Sequence, residues 1–448
     1  MKDSVHIVSL GCPKNLVDSE IMAAALKESG YPIVPEPHDA GIIMVNTCAF
    51  ILPAKEESIE EILRMARWKK TGGCRYLVVA GCLPQRYGKS LAAELPEVDL
   101  FLNIDDVPHV AKRMGGLARG KEPASASLSA KPSFLMNADF PRLLSAPFHS
   151  AYVKIAEGCS NHCSYCIIPA IRGKARSRQI DDILKESRNL AEKGVKELII
   201  IAQDTTAYGK DLKEKPRLGE LLKALCSVSG LRWIRLLYAY PGKLDEKTLK
   251  TMAEEDKICR YIDTPIQHMD DDILKNMRRQ GGSARIRENI TEIKAAIPDV
   301  ALRTSLIVGF PGETPAKFNR LLDFIRETRF DHLGAFKYSL EEETAAANMP
   351  GHIKEKTKER RRRRLMEEQA IISHEIGKSL IGSRQEALIE GKSSIPEYPF
   401  VGRCRRQAPE IDGITYIKGD DLKEGDFVEC LITGADTYDL FAQTTSSE

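Results

Sequence analysis

Glu157-Gly158-Cys159-Ser160-Asn161-His162-Cys163-Ser164-Tyr165-Cys166 packs three cysteines into one short stretch. It follows an apolar strand predicted over 151–156 and heads a long strand–helix alternation. Three thiolates at x3 and x2 spacing suit three irons of a cubane 4Fe–4S cluster and leave the fourth iron open to a non-protein ligand. A structural zinc would ask for a fourth protein ligand. His162 adjoins Cys163 and would chelate awkwardly. The bland alternative is a zinc knuckle; the strand before the cysteines favours a cluster that binds a small molecule.

Working outward, strands are predicted at 198–202, 234–237, 261–264, 302–308 and 333–338. Ile180, Ile183, Leu184, Leu190 and Ala191 share one helical face, and a further helix is predicted over 315–326. About six strand–helix units in one run predict an α/β partial barrel over 149–376. Residues 1–117 also alternate, with strands at 5–10, 42–45 and 77–80. Asn15 is the expected cap of a helix reaching residue 29. Ile59, Ile62, Leu63 and Ala66 define another helical face. That pattern predicts a second parallel α/β sheet.

Residues 118–148 are rich in Ala, Ser, Pro and Lys and read as an exposed linker. The segment 354–364 carries eight basic and two acidic residues, with five consecutive arginines, in a helix reaching 376. It reads as a solvated helix face or a contact for RNA. Residues 377–448 form the last region, where short strands at 387–389, 400–401, 414–417, 427–432 and 440–442 predict a small all-β barrel.

A second cysteine set lies in the first region. Cys12, Cys48 and Cys82 each follow a predicted strand. Carboxyl ends of parallel strands share one sheet edge, where such sheets bind ligands. The three thiols are therefore expected to meet at one metal site; three unrelated buried thiols are the alternative. Cys74, Cys226, Cys259, Cys404 and Cys430 lack partners at ligand spacing and read as structural.

The 448 residues are 42% hydrophobic and 29% charged, with net charge +2, which excludes a disordered or collagen-like chain. Eleven cysteines in a long chain without an apolar leader or span fit a reducing compartment, so a cytoplasmic protein is expected. The near-neutral total gives no global argument for nucleic acid or membrane.

The Cys-x3-Cys-x2-Cys stretch after a first barrel strand resembles the radical S-adenosylmethionine (radical SAM) enzymes. Gly11-Cys12, Asn46-Thr47-Cys48, Gly81-Cys82 and the run from Gly158-Cys159 to Arg172-Gly173 narrow the resemblance to the methylthiotransferases. The likeness covers the chain from Gly11 to about Ala442. It implies two 4Fe–4S clusters, one held by Cys159, Cys163 and Cys166 and an auxiliary one by Cys12, Cys48 and Cys82. It implies SAM as cofactor, cleaved to methionine and a 5′-deoxyadenosyl radical, and a TRAM domain as the tail. Gly309-Phe310-Pro311-Gly312-Glu313-Thr314 resembles the turn beside SAM in this family. Tyr165, Gln203, Arg303, Gly309 and Pro311 are the candidate SAM contacts.

Members that modify tRNA usually have Gln-Met-Asn after the first cysteine. Here Pro13-Lys14-Asn15-Leu16-Val17-Asp18-Ser19-Glu20 resembles the branch acting on an aspartate β-carbon of small-subunit ribosomal protein uS12. Ala408 to Gly413 resembles that branch too. Residues 381–448 hold seven basic and thirteen acidic residues, a net of −6. An RNA-gripping tail should be basic; an acidic one complements a basic ribosomal protein. The same chemistry on a tRNA adenosine is the second reading. A non-catalytic cluster- or zinc-containing RNA-binding factor is the third. The family likeness also implies an electron donor such as flavodoxin or ferredoxin.

Overall fold

A computed structural model describes residues 3–120, 132–145 and 147–445. The first region is a four-stranded sheet of β1 (Val5–Ser9), β2 (Ile42–Thr47), β3 (Tyr76–Gly81) and β4 (Leu100–Leu102), in that order. Its pairings are all parallel. The short β4 was not foreseen from the sequence; its three residues carry too little pattern to separate from a loop.

In the second region β5 (Ser150–Lys154) leads into a two-strand ribbon, β6 (Ala156–Glu157) with β7 (Arg176–Ser177). The cysteine-rich loop lies between these two. Next come β8 (Glu197–Ile201), β9 (Trp233–Leu236), β10 (Ile258–Asp263), β11 (Ala301–Val308) and β12 (His332–Lys337). Together with β5 they make a six-stranded parallel sheet, as predicted. Every residue of β8 is buried, because its two faces meet different cores. Leu198 and Ile200 join the cluster beneath the helices, while Ile199 and Ile201 join another that continues into the first region. The first sheet is thereby packed onto the inner side of the second.

The tail is a closed barrel of β13 (Arg384–Ile395), β14 (Tyr398–Cys404), β15 (Thr415–Lys418), β16 (Phe427–Ala435) and β17 (Leu440–Thr444). All five predicted strands are present. The basic helix before it, Glu355–Ser379, runs past residue 376.

Several local expectations are corrected. Asn15 is not a cap: the helix spans Pro13–Glu28 with Cys12 at its N-cap, and the Asn15 amide instead donates to the Leu10 carbonyl (2.7 Å). In helix Leu52–Ala66 the buried positions are Ser58, Ile62, Met65 and Ala66, whereas Ile59 and Leu63 are exposed. Ser58 turns that face inward because its hydroxyl bonds both the amide and the carbonyl of Cys48.

The predicted linker falls partly at 121–131, outside the described residues. Its remainder is not exposed throughout: Phe134, Met136 and Arg142 are buried. Arg142 ties Glu20 of the first region to Glu186 of the second. The arginine run is not a simple solvated face either. Arg361 is buried, donates to the Glu313 carbonyl (2.9 Å) and lies over Phe318.

Candidate active site

The strand register places Ser9, Asn46 and Ala80 side by side, with Thr47 beside Gly81. Cys12, Cys48 and Cys82 therefore leave one sheet edge together. Burial and the neighbouring Cys82 and Cys12 thiols push the Cys48 thiol up to about 12. Gly11 has φ +91°, and a Cβ there would sit 2.6 Å from Cys48 Cβ and 3.0 Å from its Sγ. Only glycine admits both the conformation and the approach.

Cys159, Cys163 and Cys166 lie on the loop between β6 and β7. Its base is closed by the Cys159 amide donating to the Gly173 carbonyl (3.0 Å). Gly158 has φ +81°, and a Cβ there would collide with the Lys174 carbonyl oxygen at 2.3 Å. Burial first, then Cys163 and Cys159, push the Cys166 thiol up to about 12. Asn161 donates to Cys159 Sγ (3.4 Å) and to Asp204 (2.7 Å). Tyr165 turns inward and meets Phe310 edge-on, so the Gly309–Pro311 turn touches the cysteine loop.

Between the triads lies a buried set of charges. Arg172 donates to Asp18 (2.7 Å), to Asn15 (3.2 Å) and to Cys82 Sγ (3.3 Å). Lys154 pairs with Asp18 (2.5 Å) and Glu157 (2.7 Å). Burial alone would raise the Glu157 carboxyl; Lys154 and Arg172 outweigh it and hold it down to about 2. Glu157 Oε1 accepts the Gln203 amide (2.7 Å). That leaves Gln203 Oε1 buried without a protein partner, an acceptor available to a ligand.

Arg303 is differently engaged. It pairs with Asp263 (3.1 Å) and with Asp412 of the tail (3.3 Å), so its charge is taken up at an interface. Two cavities, of about 540 and 440 Å3, open on the same side of the barrel. The second is lined by Ser160, Asn161 and His162 of the cysteine loop with Arg278 and Arg279. None of the candidate SAM contacts lines either cavity.

Among the described residues, no three His, Cys, Asp or Glu side chains are gathered as one metal ion would need. Within each triad the neighbouring thiols disfavour one another's thiolate form, as Cys82 and Cys12 do for Cys48 and Cys163 and Cys159 do for Cys166. A guanidinium beside Cys82 and another beside Cys163 (3.9 Å) suit thiolate ligands of an anionic cluster.

Residues 153–325 match the Radical SAM superfamily, residues 4–103 the Uncharacterized protein family UPF0004, and residues 381–444 the TRAM domain. The ribosomal protein uS12 methylthiotransferase RimO of Syntrophus aciditrophicus is 60% identical, covering 99% of each chain. That of Citrifermentans bemidjiense is 48% identical over 99% of this chain and 98% of its own. The chain belongs to the RimO family. It is a radical SAM methylthiotransferase.

Among solved structures, the radical SAM methyltransferase TsrM of Kitasatospora setae, with cobalamin and a 4Fe–4S cluster bound, superposes with a TM-score of 0.57. It covers 86% of this chain and 76% of its own at 13% identity, so the likeness concerns the fold. Within the RimO-like frame, one stretch plays a part that the sequence did not disclose. In Pro13 to Glu20, the polar residues are mostly struts. Asn15 ties β1 to β2, Asp18 holds Lys154 and Arg172, Ser19 joins Ser9 and Asn46, and Glu20 holds Arg142. The sequence signal was a run of polar residues on a helix without an apolar stripe, which marks two-sided polar burial.

Proposed function

We propose that this chain adds a methylthio group to an aspartate β-carbon of ribosomal protein uS12, using SAM and two 4Fe–4S clusters. The reading rests on one arrangement above all. Arg172 ends the short helix Ile168–Arg172 that follows Cys166, and its guanidinium reaches Cys82 of the other triad, which joins the two thiol-bearing segments.

Cys159, Cys163 and Cys166 would hold the SAM cluster and Cys12, Cys48 and Cys82 the auxiliary one. When bound, the first supplies an open iron and an electron to SAM, and the second a site for the sulfur to be transferred. The chain's own residues fix the surroundings. Glu157 stays a carboxylate and holds the Gln203 amide nitrogen, which leaves the Gln203 oxygen open to a ligand. Tyr165, beside Phe310 of the Gly309–Pro311 turn, would meet the cofactor from another strand end. Arg303 joins the barrel to the tail through Asp263 and Asp412.

In this reading residues 1–117 carry the auxiliary cluster, 118–148 the connection, 149–376 the SAM core and 377–448 the TRAM domain. The tail presents uS12 with an acidic face. Glu397, Glu410, Asp420, Asp421, Glu424 and Glu429 are exposed. Arg403, Arg405 and Arg406 are not available to RNA phosphates, because they pair inward with Glu197, Glu386 and Asp331. An acidic surface suits a basic partner. The partner set is completed by a flavodoxin- or ferredoxin-like electron donor, in the cytoplasm. No helix among the described residues is long and apolar enough to cross a membrane.

Anaerobic reconstitution tests the cofactor content: about eight irons and as many labile sulfides per chain are expected, and zinc in their place would overturn the reading. Gly11→Ala is expected to drop this to about four irons, since the added methyl occupies the space of the Cys48 side chain. Full iron loading of that variant, measured against protein concentration, would contradict the assignment of the first triad.

A further inference from the structure

The buried charges between the triads are almost all neutralised within the protein. Lys154 and Arg172 share Asp18 and Glu157, and Arg142 is held by Glu20 and Glu186. Lys14 is the exception. It is 7% exposed, two residues after Cys12 on the first turn of helix Pro13–Glu28. Among the described residues no carboxylate pairs with it. Its ammonium instead sits 3.3 Å from the centroid of the Tyr238 ring. An aromatic face satisfies a buried cation less fully than a carboxylate does.

Tyr238 is itself held in place at a cost. It has φ +62°, a left-handed conformation that is a genuine outlier for a bulky residue. The surrounding groups fix it there. Its amide donates to Asp263 (3.0 Å), and its carbonyl accepts both the amide and the hydroxyl of Thr205 (3.1 Å each). Backbone strain maintained by several bonds marks positions that structure alone does not require. Tyr238 and Cys12 are both partly exposed, so the pair is reached from solvent rather than sealed in the core.

We propose that Lys14, seated on Tyr238, is the specificity-determining cation that receives the carboxylate of the target aspartate beside the first thiol triad. This rests on the reading of uS12 as substrate and deepens it. The substrate's reacting carbon adjoins a carboxylate, and of the cations between the triads Lys154 and Arg172 are already paired with Asp18 and Glu157. An ammonium seated on an aromatic ring rather than bonded to a carboxylate supplies the missing partner. It also rejects a neutral group at the same place, because a polar site built for a charge loses most of its binding when that charge is absent. Lys14 touches the carboxylate and takes no part in bond making.

The test uses anaerobically reconstituted holoenzyme and two probes, uS12 and uS12 with its target aspartate replaced by asparagine. Affinities are read by titration calorimetry. Wild type is expected to favour the aspartate form by at least about 30-fold. Lys14→Met, with its iron content unchanged, is expected to bind the two forms within about 3-fold of each other, and Lys14→Arg to keep most of the preference. Equal affinity of wild type for the two forms would overturn the proposal without recourse to any variant. So would an undiminished preference in an iron-replete Lys14→Met or Lys14→Gln protein. Methylthiolation of uS12 by wild type is scored separately. Its absence would remove the underlying reading, whereas its presence with equal affinities would remove the role of Lys14 alone.

Discussion

Cys159→Ala is expected to hold about four irons, to release no 5′-deoxyadenosine from SAM and to leave every substrate unmodified. Cys48→Ala is expected to hold about four irons as well, but to keep cleaving SAM while transferring no sulfur. The dissociation follows from where the thiols sit. Cys159 is on the loop whose Tyr165 meets Phe310 of the Gly309–Pro311 turn, so its loss strikes the SAM side. Cys48 stands at the end of β2 across the Arg172 bridge, with Ser58 bonded to its backbone. Its replacement leaves the loop between β6 and β7 untouched. Iron analysis and chromatography of SAM products read both outcomes. Loss of SAM cleavage in Cys48→Ala, with the other cluster intact, would contradict two separate sites.

Glu197→Gln is expected to destabilise the union of barrel and tail by roughly 3–5 kcal/mol, the usual cost of leaving a buried charge without its partner. Glu197 accepts from Arg235 (2.9 Å) and from Arg403 of the tail (2.6 Å), and all three side chains are 0–1% exposed. Arg403 retains Glu390, but Arg235 has no other carboxylate among its bonded partners; it is flanked by the Trp233 and Tyr261 rings. Burial would raise the Glu197 carboxyl, yet Arg403 and Arg235 hold it down to about 2. A carboxyl depressed on folding stabilises above its unfolded value near 4.5 and loses that contribution as pH falls toward 2. Urea unfolding of apoprotein should therefore show a lower midpoint for the variant near neutral pH and a narrower gap from wild type toward pH 2. An unchanged midpoint at neutral pH would contradict a structural role for this pair.

The parts of the fold legible in the sequence were those written in period. The six barrel strands and five tail strands carry apolar runs bounded by turns, and both cysteine triads follow strand ends. Chemistry-bearing positions tied to local backbone geometry were equally readable, because a strand end dictates which residues share an edge. The long-range polar contacts were not legible. Asp412, in the stretch that marked the ribosomal branch, accepts from the Tyr261 hydroxyl (2.7 Å) and fastens the tail to the barrel. Arg403, Arg405 and Arg406 counted as tail charge but point inward. Arg303, a candidate SAM contact by sequence, pairs with Asp263 of the barrel and Asp412 of the tail. Pairings of this kind join residues distant in sequence, Tyr261 with Asp412 and Glu197 with Arg403 among them, and no periodicity records them.

The most direct test offers anaerobically reconstituted enzyme, SAM and a reductant to purified uS12 and to unmodified tRNA in parallel, with mass spectrometry of both. The expected result is a methylthio group on an aspartate of uS12 and none on the tRNA. A methylthio group on the tRNA alone would contradict the account at its centre and would show that the acidic tail does not select the substrate.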